Sequence, residues 1–222
     1  MKKIYFLLFF IPTLLMQGQT QSGYISFGKP WFPDKDKNLN NFSVGINYQN
    51  RFSKSFSYGV NIGYAQSDNF PSFYKNKKEF DRYILSHNVY ENDFPFNLMW
   101  DNIRIYQLGG KIGYSFVNNT RFLLSFNAGL GYAFSTSEFF YINNFSYVYE
   151  TGELIKYSSE LIKEKMNNFY RSFGIQFQYT FHKNYFVGIN PSFFYLFDNE
   201  HTETIPVYPS YYNLEILIGK NF

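Results

Sequence analysis

Hydrophobic and polar residues alternate along most of this chain with a period of two, as in a β-strand that has one apolar and one polar face. The pattern is clearest in residues 211–222, where the apolar parity consists of Tyr212, Leu214, Ile216, Ile218 and Phe222. The opposite parity is polar or small and consists of Asn213, Glu215, Gly219 and Asn221. We expect a strand here, and its open edge favours pairing with the first strand in a closed barrel.

The same alternation predicts eight strands along the chain. They cover residues 22–28, 42–52, 56–65, 106–116, 122–134, 173–181, 185–197 and 211–222. The facing of the first strand is open between Tyr24 and the pair Ile25 and Phe27. Three short turns join successive strands, at 53–55, 118–119 and 182–184, and asparagine suits the second because it tolerates positive φ.

Four longer connections alternate with these turns, and two of them, residues 68–102 and 136–168, carry many aromatic and charged side chains. Within the second, Leu154, Ile155, Leu161 and Ile162 recur at helical spacing, which predicts a short amphipathic helix over residues 152–166. An even strand number places both chain ends on the side of the short turns. The fold class predicted is therefore all-β: an eight-stranded antiparallel up-and-down transmembrane β-barrel with short periplasmic turns and long extracellular loops.

Composition decides which face of the barrel is outside. Aromatic residues make up 24% of the chain, with 29 Phe and 22 Tyr, although the mean hydropathy is only -0.32. Eight strands enclose too little space for so many rings, whereas small polar residues fit the lumen. The bulky residues near the strand ends would form two interfacial girdles, with Phe52, Phe56, Phe116, Phe181, Tyr185 and Phe222 at one end and Tyr64, Tyr132, Tyr195 and Tyr212 at the other. This favours a membrane barrel over a soluble lipocalin-like one.

The first residues look like a targeting segment. Lys2 and Lys3 precede an apolar run, residues 4–16, that is too short to span a bilayer as a helix and contains Pro12. We expect a signal peptide over residues 1–18 and a barrel domain over residues 19–222, exported to the bacterial outer membrane. A buried hydrophobic strand or an anchor helix is the alternative.

Charge and cysteine content exclude several classes of function. The chain has no cysteine, which excludes disulfides and thiolate metal sites, and its net charge of +3 gives no reason to expect nucleic acid as a partner. The three histidines, His87, His182 and His201, share no strand face with a serine or carboxylate at the spacing of a triad or metal site. We therefore predict no catalytic, cofactor-binding or metal-binding residue.

The complete pattern resembles the small eight-stranded outer-membrane barrels of the OmpX, OmpA-domain and OmpW kind. The resemblance covers residues 19–222 and rests on the signal segment, the alternation of short and long connections, and the terminal sequence L-E-I-L-I-G-K-N-F. It implies a Gram-negative outer membrane, contact with its lipid, and a barrel-assembly machinery that reads Leu214, Ile216, Ile218 and Phe222. Activities in that group range from structural to adhesive to enzymatic, so the fold leaves the function open.

Within the predicted lumen, Lys111 and Glu215 face each other across the ring at similar heights. A charge in a narrow lumen is costly unless it is paired, so we predict a direct or water-bridged ion pair between them.

The function predicted is a non-enzymatic outer-membrane protein with a structural role or a surface-binding role carried by its long loops. One alternative is a lipid A-modifying enzyme, for which His201-Thr202-Glu203 is the nearest candidate set, although a solvated polar loop is the plainer explanation of these residues. The other alternative is a narrow, porin-like pore for small solutes.

Overall fold

The strands form a closed ring. The computed structural model describes residues 20–32, 41–68, 77–86, 88–90, 101–197 and 210–222; the expected signal peptide lies outside these ranges. The strands are β1 (Thr20–Trp31), β2 (Phe42–Arg51), β3 (Phe56–Asp68), β4 (Asp101–Asn118), β5 (Phe122–Tyr147), β6 (Leu154–Thr180), β7 (Tyr185–Leu196) and β8 (Ser210–Asn221), with the helix α1 (Lys77–Leu85) between β3 and β4. Neighbours pair antiparallel, and β8 closes on β1. The predicted eight-stranded antiparallel barrel is confirmed.

The strands are tilted relative to the barrel axis. Following paired residues once around the ring, from Thr20 to its partner Arg51 and onward through every ladder, leads to Pro30, ten residues further along β1. For eight strands this stagger corresponds to a tilt of about 40° and an interior that side chains fill. We call the end with the short turns (residues 52–55, 119–121 and 181–184) the lower end and the opposite end the upper end.

The outer wall of the barrel is apolar. Tyr212, Leu214, Ile216 and Ile218 on β8 and Phe222 directly after it are all exposed. On β1, Ile25 and Phe27 point outward while Tyr24 is buried. The facing of β1 that the alternation left open is thereby settled.

Aromatic residues ten positions apart mark the two ends of this wall on three strands. The pairs are Phe122/Tyr132 on β5, Tyr185/Tyr195 on β7, and Tyr212/Phe222 at β8. We call the row at the lower end, which includes Phe122, Tyr185 and Phe222, the lower girdle, and the row at the upper end, which includes Tyr132, Tyr195 and Tyr212, the upper girdle. Ten residues on tilted strands give a band about 25 Å tall, the height of the apolar belt on outer-membrane barrels.

The predicted helix over residues 152–166 is wrong. Residues 154–166 belong to β6, which pairs with β5 as far as Tyr147 and Leu154, so the two strands form a hairpin extending past the ring. Leu154 is buried while Ile155, which falls at a register shift in the ladder, is exposed. Cross-strand pairing, although its register shifts at two points, outweighed the helical spacing of four apolar residues. The helix described near this hairpin is α1, in the connection between β3 and β4.

Two further expectations are corrected. β1 continues through Pro30 to Trp31, and β4 begins at Asp101 rather than Tyr106, so both strands are longer than the alternation indicated. The turn after β4 does not rest on positive φ at asparagine. Instead, Asn119 Oδ1 accepts hydrogen bonds from the backbone N–H groups of Arg121 (3.0 Å) and Phe122 (2.7 Å).

Candidate functional site

An apolar cluster lies in the upper part of the lumen. We call it the upper cluster; its buried members are Phe32, Ala65, Ile103, Ile105, Ala133, Tyr170, Leu196 and Tyr211, with Phe194 packed against them. The rings of Phe194 and Tyr211 stack with centroids 4.8 Å apart. Both tyrosine hydroxyls are hydrogen-bonded, since Gln107 Nε2 donates to Tyr211 Oη (2.6 Å) and Asn61 Nδ2 donates to Tyr170 Oη (3.2 Å). Packed side chains therefore occupy the lumen at this height.

A second apolar cluster, the lower cluster, consists of Tyr24, Phe186 and Leu217. The rings of Tyr24 and Phe186 meet edge to face, 5.8 Å apart. At the same end, the buried Arg51 donates from Nη2 to Gln178 Oε1 (3.4 Å), which also accepts from Gln176 Nε2 (3.2 Å). Large side chains thus occupy the lumen near both of its ends.

A polar chamber lies in the lumen and holds both charged residues that the sequence singled out. Its volume is about 70 Å³, and Lys111 and Glu215 are among the residues that line it. At about 10–15 Å³ for each water, it has room for roughly five waters. A chamber of this size suits solvent rather than a larger solute.

Lys111 and Glu215 have different partners within this chamber. Lys111 Nζ donates to Tyr24 Oη and to Asn47 Oδ1 (3.1 Å), and it lies 4.6 Å from the centroid of the Tyr24 ring. Glu215 Oε2 accepts from Asn190 Nδ2 (2.7 Å). Neutral polar groups therefore solvate each charge, and a direct contact between the two charges is not the arrangement found. The water-bridged form of the predicted pair stays a prediction.

The other residues singled out from the sequence do not assemble a chemical site. Leu214, Ile216, Ile218 and Phe222 lie on the outer wall. His182 is exposed in a lower turn, while His87 and His201 lie outside the described residues. Within the described ranges no group of three or more histidine and acidic side chains is placed to hold a metal ion. None of the helices described is long and apolar enough to cross a membrane.

Above the ring, the β5–β6 hairpin and α1 pack into a separate structure. We call this the arm: residues 136–168, α1 and residues 88–90. Its small core consists of Phe80, Ile84, Val89, Ile142 and Leu154, with Tyr83 and Tyr157 packed against it. β5 continues from Tyr132 of the upper girdle to Tyr147, which projects the hairpin roughly 35–40 Å above that girdle.

Hydrogen bonds fasten α1 and residues 88–90 to the hairpin. Tyr157 Oη donates to Asp81 Oδ1 (2.5 Å), and the backbone N–H of Val89 donates to the carbonyl oxygen of Gly152 (2.9 Å). Partial burial, followed by the hydrogen bond to Asp81, raises the pKa of Tyr157 well above its ordinary value. The arm is therefore an ordered element rather than a set of loose loops.

The outer surface of the arm is rich in rings and charges. Tyr90 and Tyr149 are exposed, and the Tyr90 ring meets Tyr147 edge to face at 5.9 Å. Lys163 Nζ forms an ion pair with Glu138 Oε1 (2.7 Å). Such a mixture of exposed aromatic and charged groups is typical of contact surfaces.

Sequence reasoning missed the aromatic residues inside the lumen. Tyr170 lies over Gly109 of β4 and Gly131 of β5, where a Cβ at either position would collide with it. The signal available was a large ring on the polar parity of β6, in line with a glycine on β5 and a glycine on β4. That pairing becomes readable only once the strand register is known.

Comparisons with known proteins agree with this architecture. Neither the protein-family models nor the curated proteins gave a match. A major outer membrane protein from Thermus thermophilus is 10% identical, with 91% of this chain and 99% of that chain covered and a TM-score of 0.55. The likeness shows a shared fold, that of an outer-membrane β-barrel, as the resemblance in the sequence implied.

Two further solved structures score lower and add nothing to the fold assignment. Ail of Yersinia pestis, in complex with the heparin analogue sucrose octasulfate, is 11% identical, with 93% of this chain and 100% of that chain covered and a TM-score of 0.47. The N-terminal β-barrel domain of Pseudomonas aeruginosa OprF is 14% identical over the same shares, with a TM-score of 0.44.

Proposed function

We propose that this protein is an integral outer-membrane β-barrel, exported by a cleavable signal at residues 1–18, that holds the arm above the membrane as a binding surface. The observation that carries this proposal is the apolar outer wall, bounded by two aromatic girdles, around a polar lumen. Soluble monomers rarely expose an apolar patch larger than a few hundred Å². A continuous apolar band around the whole barrel suits lipid instead.

The projecting arm supports a binding role rather than a purely structural one. A barrel that served only as a membrane plug needs no hairpin with its own core. Here the core of the arm fixes the positions of Tyr90 and Tyr149, whose rings stay exposed. An ordered surface loses less entropy on binding than a mobile loop does. Any extracellular ligand of this protein is therefore expected at the arm.

The filled lumen argues against the pore alternative. The upper and lower clusters leave between them a chamber of about 70 Å³, large enough for a few waters. In planar bilayers we expect flat current traces from the folded protein, and stepwise conductance would support the pore instead. If the protein is not an enzyme, cells with the His87→Ala or His201→Ala variant should have the same lipid A as cells with the unsubstituted protein. A difference in lipid A would support the enzyme alternative.

A shortened variant tests the binding role directly. Phe139 pairs with Ile162, so residues 140–161 can be replaced by a two-residue Asn-Gly turn that keeps the hairpin register. Cells that display the full protein should attach to glycan- or protein-coated surfaces more strongly than cells without it, and cells with the shortened variant should not. Equal attachment by both proteins, with both folded as shown by heat-modifiable migration, would leave only the structural role.

The terminal residues carry a separate part of the proposal. Leu214, Ile216, Ile218 and Phe222 share the outward parity of the β8 segment, and the resemblance to small outer-membrane barrels implies that the barrel-assembly machinery reads them. Phe222→Ala should lower the amount of folded barrel in the outer membrane. Leu217→Ala, a change on the inward face of the same strand, should leave recognition unchanged although it reduces packing in the lower cluster.

A further inference from the structure

One cation on the outer wall is held in an unusual setting. Arg171 belongs to β6 and pairs in the ladder with Tyr195, a residue of the upper girdle. Its guanidinium carbon lies 4.6 Å from the centroid of the Tyr195 ring and 5.3 Å from that of Phe197. Arg171 is exposed, so the two rings orient the charge on the outside of the barrel rather than in the lumen.

We propose that Arg171 binds a phosphate of a lipid in the leaflet at the upper end. A guanidinium is always charged, and its planar fork matches two oxygens of one phosphate. The two rings contact the guanidinium group but accept no hydrogen bond from its N–H donors, which lie in the plane of the group and point outward along its edges. In the headgroup region those donors need an anionic acceptor. This inference rests on the proposed outer-membrane location, which would put phosphorylated glycolipid at that end.

Other exposed cations lie at the upper end of the barrel. Lys165, six residues before Arg171 in β6, is also exposed, and Lys29 and Arg104 are exposed on β1 and β4 at the same end. Lys165 pairs with Thr136 in the ladder, a neutral neighbour that offers it no opposite charge. Positive charge thus extends from the girdle toward the arm, where the phosphorylated sugars of such a lipid would lie.

The lower end supplies a matched control. Lys220 also contacts two rings, with its Nζ 5.4 Å from the centroids of both Tyr185 and Phe222. It carries the same charge in a similar aromatic setting, but at the opposite end of the band. If position along the barrel decides which lipid is bound, loss of Arg171 should weaken binding of an upper-leaflet lipid and loss of Lys220 should not.

Native mass spectrometry of the folded protein in micelles, titrated with lipid A, tests the proposal. Arg171→Gln should weaken lipid A binding about tenfold, the loss expected for a hydrogen-bonded charge. Arg171→Lys should recover part of it, because the charge remains but the fork is lost. Lys220→Gln should leave lipid A binding unchanged, and inorganic phosphate at the same concentration should not compete.

The opposing outcomes are distinct. Equal binding by the Arg171→Gln variant and the unsubstituted protein, an equal loss in Lys220→Gln, or full competition by inorganic phosphate would each overturn the lipid site. Heat-modifiable migration of every variant shows that the barrel has folded. Failure of the unsubstituted protein to form such a barrel would instead contradict the proposed outer-membrane function.

Discussion

The core of the arm offers a local test in which one buried and one exposed neighbour can be compared. Ile84 of α1 is 1% exposed and packs among Phe80, Val89, Ile142 and Leu154. Ile84→Ala removes buried carbon atoms and leaves a cavity that the small core of the arm cannot refill. It should lower the stability of the docked arm by about 2–3 kcal/mol. A nine-residue helix is marginal alone, so α1 should open when its docking is lost. The open population should rise roughly 30- to 150-fold.

Trypsin measures that opening, because Lys78 and Arg82 lie within α1. When opening is fast relative to cleavage, the cleavage rate follows the open population. Leu85→Ala is the control: Leu85 is 43% exposed on the same helix, and its loss should change the rate little. Equal cleavage rates in the two variants would refute the docked arm. An equal loss of barrel stability would show that arm and barrel unfold as one unit.

Two further predictions concern packing in the lumen and the stability of the arm at high pH. An alanine Cβ at position 109 would collide with Tyr170, whereas one at position 110 meets nothing closer than 3.8 Å. Gly109→Ala should therefore lower the free energy of unfolding, measured with urea in vesicles, by about 1–3 kcal/mol, and Gly110→Ala should lower it much less. Equal losses in the two variants would contradict the packing of the upper cluster. Because the fold raises the pKa of Tyr157, the stability from its neutral hydroxyl is present below its unfolded pKa and is lost as pH rises through the higher folded pKa. In ¹³C NMR of labelled tyrosine, with Tyr157→Phe to identify the signal, Tyr157 should titrate at a pH well above the ordinary tyrosine pKa. Titration at that ordinary value would contradict the Asp81 contact.

Period-two alternation was enough to predict the ring because each strand has one lipid-type face and one lumen face. Register follows from that constraint, since a slip by one residue would turn every apolar side chain of a strand inward. The facing of β1 was open because Tyr24, Ile25 and Phe27 are all large. Only the partners of Tyr24, which are Phe186 and Lys111 in the lumen, decide the matter.

The arm was not predictable because its residues satisfy two periods at once. Leu154, Ile155, Leu161 and Ile162 fit a helix, yet pairing with β5 gives them a strand. Tertiary pairing outweighs local spacing where a long partner strand is available. The partners of Lys111 and Glu215 were missed for a related reason: each charge is solvated by an asparagine on another strand, which sequence order does not bring together.

The most direct test of a membrane-embedded barrel compares two isoleucines of nearly equal exposure. Ile112 is 67% exposed on β4 between the two girdles, and Ile155 is 63% exposed on the arm. If the band lies in lipid, Ile112→Arg should cost about 2–4 kcal/mol in unfolding from lipid vesicles, while Ile155→Arg should cost almost nothing. Equally small costs for both substitutions would mean that water surrounds the barrel wall, and would contradict the account.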